Sequence, residues 1–422
     1  MLARILDRSR RSLRRLHRDG RGNVLVLTAA AIPMLIGGAG LGVDVTQWYL
    51  WGRELQMGVD AGALAGTYSQ AQGKDYSASA RSAVSTNLNV VTVTGTPTVT
   101  LGNWAGGTNN AVTVTAQTQR TLPFSGMFLS TAPTISRIAT AAIIDSGTFC
   151  ILATNKTAQA AISIGGNALV KLGCGIASNS NNAESIKIFG SAQVEANPLT
   201  AVGGITAGDG NLIGDTTKRA YSVEQADPLA NLPTPSPTIC NTPKTYDKNI
   251  TPLPCGVYAD LKLKGSHTVQ GIYTIDGGEL KIDAQYNLTS TGNGVMFILK
   301  NGATLDIQGG SNISLTAISA ANIATYGLSP AYANILIFED KSTFPANSTR
   351  TSKINGNATL ALGGTIYLTK QALQMTGNAA PSTTCLLLIA DTVTISGNPI
   401  IPNSCPGGGG GGYGAKVVRL VS

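Results

Sequence analysis

The chain begins with a charged tail that runs directly into a long uncharged segment. Residues 1–22 carry eight arginines and two aspartates, whereas the 21 residues of 23–43 include none that is charged. A helix rises ~1.5 Å per residue, so this segment is long enough for the ~30 Å hydrocarbon core of a membrane. We predict a basic cytoplasmic tail at 1–22 and a transmembrane helix at 23–43. The arginine bias predicts a single pass with the N-terminus inside and the bulk of the chain outside the cytoplasm.

The residues after this segment predict how it ends and continues. Trp48, Tyr49 and Trp51 are typical of an aromatic belt at the outer membrane interface. The alternative is a cleaved signal peptide, although the apolar core of such a peptide is usually shorter. We expect one helix to continue to about Gln72.

Glycines recur at four-residue spacing in this helix, which places them on one face and permits close helix contact. They can serve contact with another helix, or they can simply let this helix pack on its own domain. The predicted helix-packing glycines are Gly38, Gly42, Gly58, Gly62 and Gly66.

Beyond the helix the periodicity changes to strict alternation. β-branched runs separated by Gly and Asn occur at 90–94, 98–101, 111–115 and 138–144. Such runs predict strands, and we expect a small antiparallel sheet within a pilin-like domain at 44–145.

From residue 146 onward an apolar-x-apolar-x-Gly pattern repeats. Most steps between its central apolar positions are 19–25 residues, and we interpret the 47-residue step as two units and the 75-residue step as three or four. This period predicts a right-handed β-helix (β-solenoid) over 146–422, with a Pro-rich insertion at 226–255; a β-sandwich is the rival. The central positions are Ile164, Ile188, Leu263, Ile282, Ile307, Ile354, Met375 and Ile395.

All six cysteines follow the predicted span, and an even number in an oxidising compartment predicts disulfides. One coil separates the members of two pairs, and the third pair closes the Pro-rich insertion. The predicted pairs are Cys150–Cys174, Cys240–Cys255 and Cys385–Cys405.

Composition argues against several classes of function. The net charge of +8 resides mostly in the tail, so it reflects membrane topology and predicts no nucleic-acid partner. With only His17 and His267, a multi-His metal site or a His-based triad is not expected, and we predict no catalytic, cofactor or metal residues. We interpret His267 as a solvated coil residue. The acids of the repeat that a glycoside-cleaving enzyme would require are Asp276, Glu279, Asp283 and Asp306, and we interpret them as a solvated face.

The N-terminal stretch also resembles a known family. The ordered set Arg21–Val24, Pro33, Gly40–Asp44 and Leu55–Gly66 is similar to the N-terminus of TadE/TadG-like proteins of the Tad (Flp) pilus-assembly systems. Pilin-type processing after Gly22 would require a Glu where Leu27 stands, so the chain resembles the larger, unprocessed TadG-like members. Asp227–Pro233 followed by Pro254–Tyr258 is also similar to larger TadG-like proteins with Gly-rich β-helical C-terminal regions. The resemblance implies a bacterial inner-membrane protein.

Together these features predict a mainly β envelope protein, anchored by one helix, that acts structurally in pilus assembly, anchoring or surface adhesion. The expected partners are inner-membrane lipid, other pilus-assembly proteins or pilins, and surface glycans. The alternative function is that of a membrane-tethered β-helix that binds or cleaves carbohydrate.

Overall fold

The computed structural model describes residues 22–346, 348–355, 359–377, 380–381, 386–403 and 413–421. The chain divides into two compact units, residues 1–143 with 419–422 and residues 144–418. The predicted basic tail, apart from Gly22, and the predicted pair Cys385–Cys405 lie outside the described residues.

The helices are α1 (Gly22–Ala71), α2 (Tyr76–Thr86) and α3 (Ala320–Ile323), with 3-10 turns at Ser125–Met127, Ala324–Tyr326 and Pro330–Tyr332. The strands are β1 (Thr98–Gly102), β2 (Ala111–Thr118), β3 (Ile135–Ala153), β4 (Ile162–Ile164), β5 (Leu169–Leu172), β6 (Gly175–Ser178), β7 (Ile186–Ile188), β8 (Gln193–Glu195), β9 (Leu199–Ala201), β10 (Ile205–Ala207), β11 (Lys218–Arg219), β12 (Gly256–Tyr258), β13 (Leu261–Leu263), β14 (His267–Asp276), β15 (Glu279–Ile282), β16 (Asn287–Lys300), β17 (Thr304–Ile307), β18 (Asn312–Thr316), β19 (Ile335–Glu339), β20 (Arg350–Asn355), β21 (Thr359–Gly377), β22 (Ala380–Pro381), β23 (Leu386–Gly397), β24 (Ile400–Asn403) and β25 (Tyr413–Leu420).

The first unit is built around the second half of α1. Leu55, Val59 and Ala63 recur every four residues, share one helix face and are fully buried. A short connection leads to α2, whose first turn is capped by the Asp75 carboxylate, which accepts the N–H groups of Ser77 and Ala78 at 2.9 and 3.0 Å. The predicted continuation of one long helix to about residue 72 is thus confirmed.

A small antiparallel sheet completes the first unit. Strand β2 lies between β1 and β3, and its central register pairs Val114 with Val99 on one side and Ala139 on the other. Its inward side chains, Val112 and Val114, are fully buried. The predicted small antiparallel sheet is confirmed.

The second unit is mainly parallel sheet, and its repeated apolar positions form one stack. Paired Cα positions run Leu263, Ile282, Ile307, Ile354, Met375, Ile395, Ile164 and Ile188. Each of these side chains is buried, as alternation along a pleated strand requires when one face lines a core. We call this set of strands the motif ladder, and each step along it a level.

The glycines that follow these apolar pairs have a structural reason. Gly166, Gly190, Gly377 and Gly397 have φ between +68° and +95°, a left-handed conformation that favours glycine. They also stack closely, because a Cβ on Gly166 would collide with the backbone of Gly397 and one on Gly190 would press on Gly166.

A second ladder runs beside the motif ladder. Its strands pair in the order β12, β14, β16, β19, β21, β23, β3, β6, β9 and β11. On a third face β14, β16, β18, β21 and β22 pair in that order, and β24, β5 and β8 form a separate parallel sheet.

The order of levels is not the order of the sequence, which corrects two predictions. The last motif strand, β23, pairs with the first, β4, so the chain enters mid-stack, runs to one end and returns to the other. The 75-residue step is therefore not three or four units: it contains the single level of β10 and a return connection at residues 220–255. The Pro-rich segment is this connection.

The prediction that the 47-residue step contains two units is also wrong, because Ile307 and Ile354 are direct neighbours in the ladder. The extra residues hold β19, α3 and the neighbouring 3-10 turns. Tyr326, Tyr332 and Ile323 from these turns are buried in an apolar cluster with the outward side chains Phe338 and Tyr367. The insertion thus covers a face that would otherwise be exposed apolar surface.

Candidate functional site: the N-terminal apolar helix and the polar corner of the parallel sheet

The first half of α1 exposes its apolar side chains. Leu27, Met34, Leu35 and Val43 are 62–79% exposed, and the helix has a mean hydropathy of 1.9 over its most apolar window. Little of that window is buried within the chain, whereas a core helix of this composition would be covered. This one long apolar helix has the length and composition of a membrane span or of a signal sequence.

The structure separates the glycines of α1 into two groups. A Cβ on Gly62 would lie 2.6 Å from Val84 Cγ2, and one on Gly66 would lie 3.1 Å from Ala80 Cβ. Gly58 similarly faces Leu88. Because these outer glycines have no side chain, α2 and the segment after it can pack closely against α1. Gly38 and Gly42, in contrast, have no atom of the described chain within 4 Å of such a Cβ.

Two predicted cysteine pairs lie at disulfide distance. Cys150, on β3, and Cys174, directly before the neighbouring strand β6, have Cα atoms 5.8 Å apart. Cys240 and Cys255 have Cα atoms 5.0 Å apart and lie within the return connection. The first pair joins adjacent levels, and the second fixes the connection just before it enters β12.

Three of the four acids considered for carbohydrate cleavage have carboxylates engaged with neighbouring side chains. Lys281 Nζ lies 3.8 Å from Asp283 and 3.7 Å from Asp306, so a cation stands between the two carboxylates. Asn301 donates to Asp276. Glu279 lies beside them on β15, where its backbone N–H donates to Asp260 at 2.9 Å.

The interpretation of His267 as solvated is wrong. Its side chain is 3% exposed, with Nε2 2.9 Å from the Tyr246 hydroxyl and Nδ1 3.1 Å from the Ile250 carbonyl. Both partners belong to the return connection, which covers this end of the stack. A buried imidazole with polar partners on both nitrogens is a structural element that ties the connection to β14.

Sequence reasoning missed a polar corner where the second ladder turns toward the motif ladder. A cleft of about 640 Å³ is lined there by Lys341, Arg350, Lys370 and Asp391. Asn155 Nδ2 lies 3.0 Å from both Asp391 oxygens, which orients that carboxylate. These residues are scattered along the sequence. Lys341 follows β19, Arg350 begins β20, and Lys370 and Asp391 lie within β21 and β23 where the register of those strands shifts, so no local motif marks them.

The Lys341 ammonium is held by two hydrogen bonds beside this cleft. Its Nζ donates to the Ala230 carbonyl at 2.6 Å and to the Tyr367 hydroxyl at 3.0 Å. The Tyr367 hydroxyl in turn donates to Asp227 at 2.7 Å. Burial, together with the neighbouring Asp227 carboxylate, raises the pKa of Tyr367, which therefore remains a neutral donor. The return connection thus contacts a cation of the cleft through Ala230 and contacts Tyr367 through Asp227.

A buried carboxylate lies behind the same corner. Glu339 is 1% exposed and pairs in the ladder with Leu299, a core position. Burial raises the pKa of Glu339 to about 7, although the Lys370 N–H, which donates to Oε2 at 2.6 Å, and Gln371 partly oppose that shift. Its Oε1 has no hydrogen-bond partner in the described part of the chain. A partly protonated acid inside a core costs stability at neutral pH.

No group of His, Cys, Asp or Glu side chains among the described residues could hold a metal ion. This finding concerns those residues alone.

Comparison with known proteins places one part of the chain. Residues 22–80 match the Tad family model, described as "Putative Flp pilus-assembly TadE/G-like". The matched range covers α1 and the first part of α2, and it includes the exposed apolar half and the glycines that face α2. Comparison with curated proteins gives no match, and comparison with solved structures gives none either.

Proposed function

We propose that this chain is a membrane-anchored structural component of a Tad-type pilus-assembly system, resembling the larger TadG-like members. The observation that carries the proposal is the exposed apolar half of α1 within the matched residues 22–80. An exposed apolar surface of this size is stable when lipid or a partner helix covers it. The partners are inner-membrane lipid and other pilus-assembly proteins or pilins.

The proposal includes topology and fold. Residues 23–43 cross the bacterial inner membrane once, with the arginine-rich tail in the cytoplasm and the remaining chain in the periplasm or beyond. The parallel ladders of the second unit are the levels of a right-handed β-solenoid, and the return connection carries the chain from one end of the stack to the other. Support comes from the continuous inward stack of apolar side chains and from the left-handed turn glycines at several levels, Gly166, Gly190, Gly377 and Gly397.

The role we propose is anchoring, assembly or adhesion rather than catalysis. Three of the four acids of the repeat, Asp276, Asp283 and Asp306, are held beside Lys281 or Asn301, which suits a surface more than a reacting pair. The disulfide-distance pairs and the buried core suit a rigid, extracytoplasmic scaffold.

One experiment tests this function directly. Native membranes are crosslinked, the full chain is recovered by an affinity tag, and the crosslinked proteins are identified, with a reporter fused after Ser422 in parallel. We expect pilus-assembly proteins or pilins among the products and an extracytoplasmic reporter signal. A cytoplasmic signal, or a mature chain that starts beyond residue 60, would contradict the anchor, and products unrelated to pili would contradict the role.

The cationic cleft favours a second candidate function, the binding of an acidic surface glycan. Lys341, Arg350 and Lys370 outnumber Asp391 there, so the cleft attracts carboxylated sugars. Sedimentation with an acidic and with a neutral polysaccharide tests it. We expect Arg350→Ala to weaken binding to the acidic polymer and Lys218→Ala, at an exposed site elsewhere, to leave it unchanged; equal binding of both polymers would contradict this candidate.

A further inference from the structure

An apolar turn lies beside the end of the exposed half of α1. We define the apolar turn as residues 122–129, which include the 3-10 turn Ser125–Met127. Its tip carries Met127, Phe128 and Leu129, which are 78%, 71% and 44% exposed. Three consecutive large apolar side chains at the surface of a folded unit are unusual, and they indicate that another surface covers them.

Two contacts fix the apolar turn to α1. The Asp44 carboxylate, 2% exposed, accepts the backbone N–H of Ser125. One helical turn earlier, the Phe124 ring lies so close to Gly40 that any Cβ there would overlap it. Asp44 is the first residue after the uncharged segment 23–43, so these contacts hold the turn at the level where that segment ends.

The backbone of the turn also suits a medium without water. The N–H groups of Gly126, Met127, Phe128 and Leu129 donate to carbonyls within the turn at 2.8–3.2 Å. With Ser125 bonded to Asp44, five successive donors are satisfied inside the protein. An unsatisfied backbone donor is costly in hydrocarbon, so internal pairing is what a lipid-facing turn requires.

We propose that the apolar turn inserts into the outer interface of the bilayer that α1 crosses, and that its ligand is the lipid surface itself. The inference rests on the proposed anchor. The apolar tip of the turn continues the exposed apolar surface of α1 at the level of Asp44. Trp48 and Tyr49 follow Asp44 in α1, where an aromatic belt at the membrane interface is expected. Lipid therefore contacts the unit at two places, and the turn fixes the rotation and tilt of α1 against the membrane, which one helix alone does not determine.

Photo-crosslinking in native membranes tests the inference. The photoreactive residue p-benzoylphenylalanine replaces Phe128 in the full chain, Ile36 as a probe of the span and Val90 as a control. Ile36 and Val90 are 59% and 60% exposed, and Val90 belongs to the segment held by Glu54, about ten residues beyond Asp44 along α1. We expect phospholipid adducts, identified by mass, at Phe128 and Ile36 and none at Val90.

The outcomes separate this inference from the anchor. Lipid adducts at Ile36 with protein adducts or none at Phe128 would overturn the inference and leave the anchor intact. Absence of lipid adducts at Ile36 would overturn both. Asp44→Ala added to the Phe128 probe should cause loss of its lipid adduct while the Ile36 adduct persists, whereas Asp44→Asn, which keeps an acceptor for Ser125, should retain both. A Phe128 adduct insensitive to Asp44→Ala would contradict the described attachment.

Discussion

Replacing Glu339 by Gln should stabilise the second unit at neutral pH. The carboxyl is buried at a core position, and burial raises its pKa to about 7 from the ordinary 4.5. The folded state therefore binds the proton more tightly than the unfolded chain does, so stability is full below the unfolded pKa and falls as pH rises from about 4.5 to about 7. Gln resembles the protonated acid and avoids this loss.

The size of the effect follows from the shift. A difference of about 2.5 pKa units corresponds to about 3.4 kcal/mol, because each unit is worth 1.36 kcal/mol. Linkage then gives a stabilisation of about 3 kcal/mol at about pH 8 and under about 1 kcal/mol at about pH 5. If amides of β19 exchange through opening of the unit, Glu339→Gln should slow them about 300-fold at about pH 8 and about fourfold at about pH 5.

Hydrogen–deuterium exchange of peptides covering residues 335–339, measured for both chains at each pH, checks this prediction. Comparison at equal pH cancels the intrinsic pH dependence of exchange. Asp340→Asn is the matched control. Burial would raise the pKa of Asp340, but hydrogen bonds from Ser342 and Thr234 lower it overall, so its stabilisation is lost as pH falls and this variant should exchange faster at high pH.

The same protection ratio for Glu339→Gln at both pH values would refute the reasoning. It would mean that the pKa of Glu339 is not raised in the folded protein, contrary to the burial of its side chain at a core position.

The remaining predictions concern topology, packing and disulfides. Cysteines at Ser163 and Thr394, which are register partners, should form a disulfide under oxidation, and failure would contradict the stacking of β23 on β4. Gly62→Ala should lower the free energy of unfolding by about 1–3 kcal/mol, measured by tryptophan fluorescence, because the added Cβ would collide with Val84. Gly42→Ala should leave it unchanged or raise it slightly, because its Cβ would contact no atom of the described chain. Peptide mapping without reduction should recover the three predicted cysteine pairs, and a crossed pair would contradict the described levels.

The sequence predicts which side chains face the core but not which levels touch. Ile164 and Ile395 both carry the apolar-x-apolar-x-Gly signal, and both are buried as expected. Nothing local states that Ile395 stacks on Ile164 and that the chain has returned between them. Every level offers nearly the same apolar edge, so the order in which the levels stack depends on the return connection. The Pro-rich composition of that connection is typical of an insertion and does not indicate where the chain goes next.

The polar corner shows a second limit. Lys341, Lys370 and Asp391 have no common motif, because they meet through equivalent corners of separate levels. The burial of His267 could not be predicted for a related reason, because Tyr246, which contacts its side chain, belongs to a segment with no strand signal. The long apolar helix could be predicted because its signal is local: an uncharged run of residues with the length of a membrane span.

The central claim, a structural rather than catalytic role, is tested most directly by pilus-dependent surface attachment of cells carrying single variants. Alanine at each of the four repeat acids, Asp276, Glu279, Asp283 and Asp306, should leave attachment at the unmodified level. Ile307→Asp should abolish it, because a buried charge at that 2% exposed core position costs several kcal/mol. The account would be contradicted if one acid variant, present in the membrane at normal amount, lost attachment and if the unmodified chain, but not that variant, cleaved a glycan.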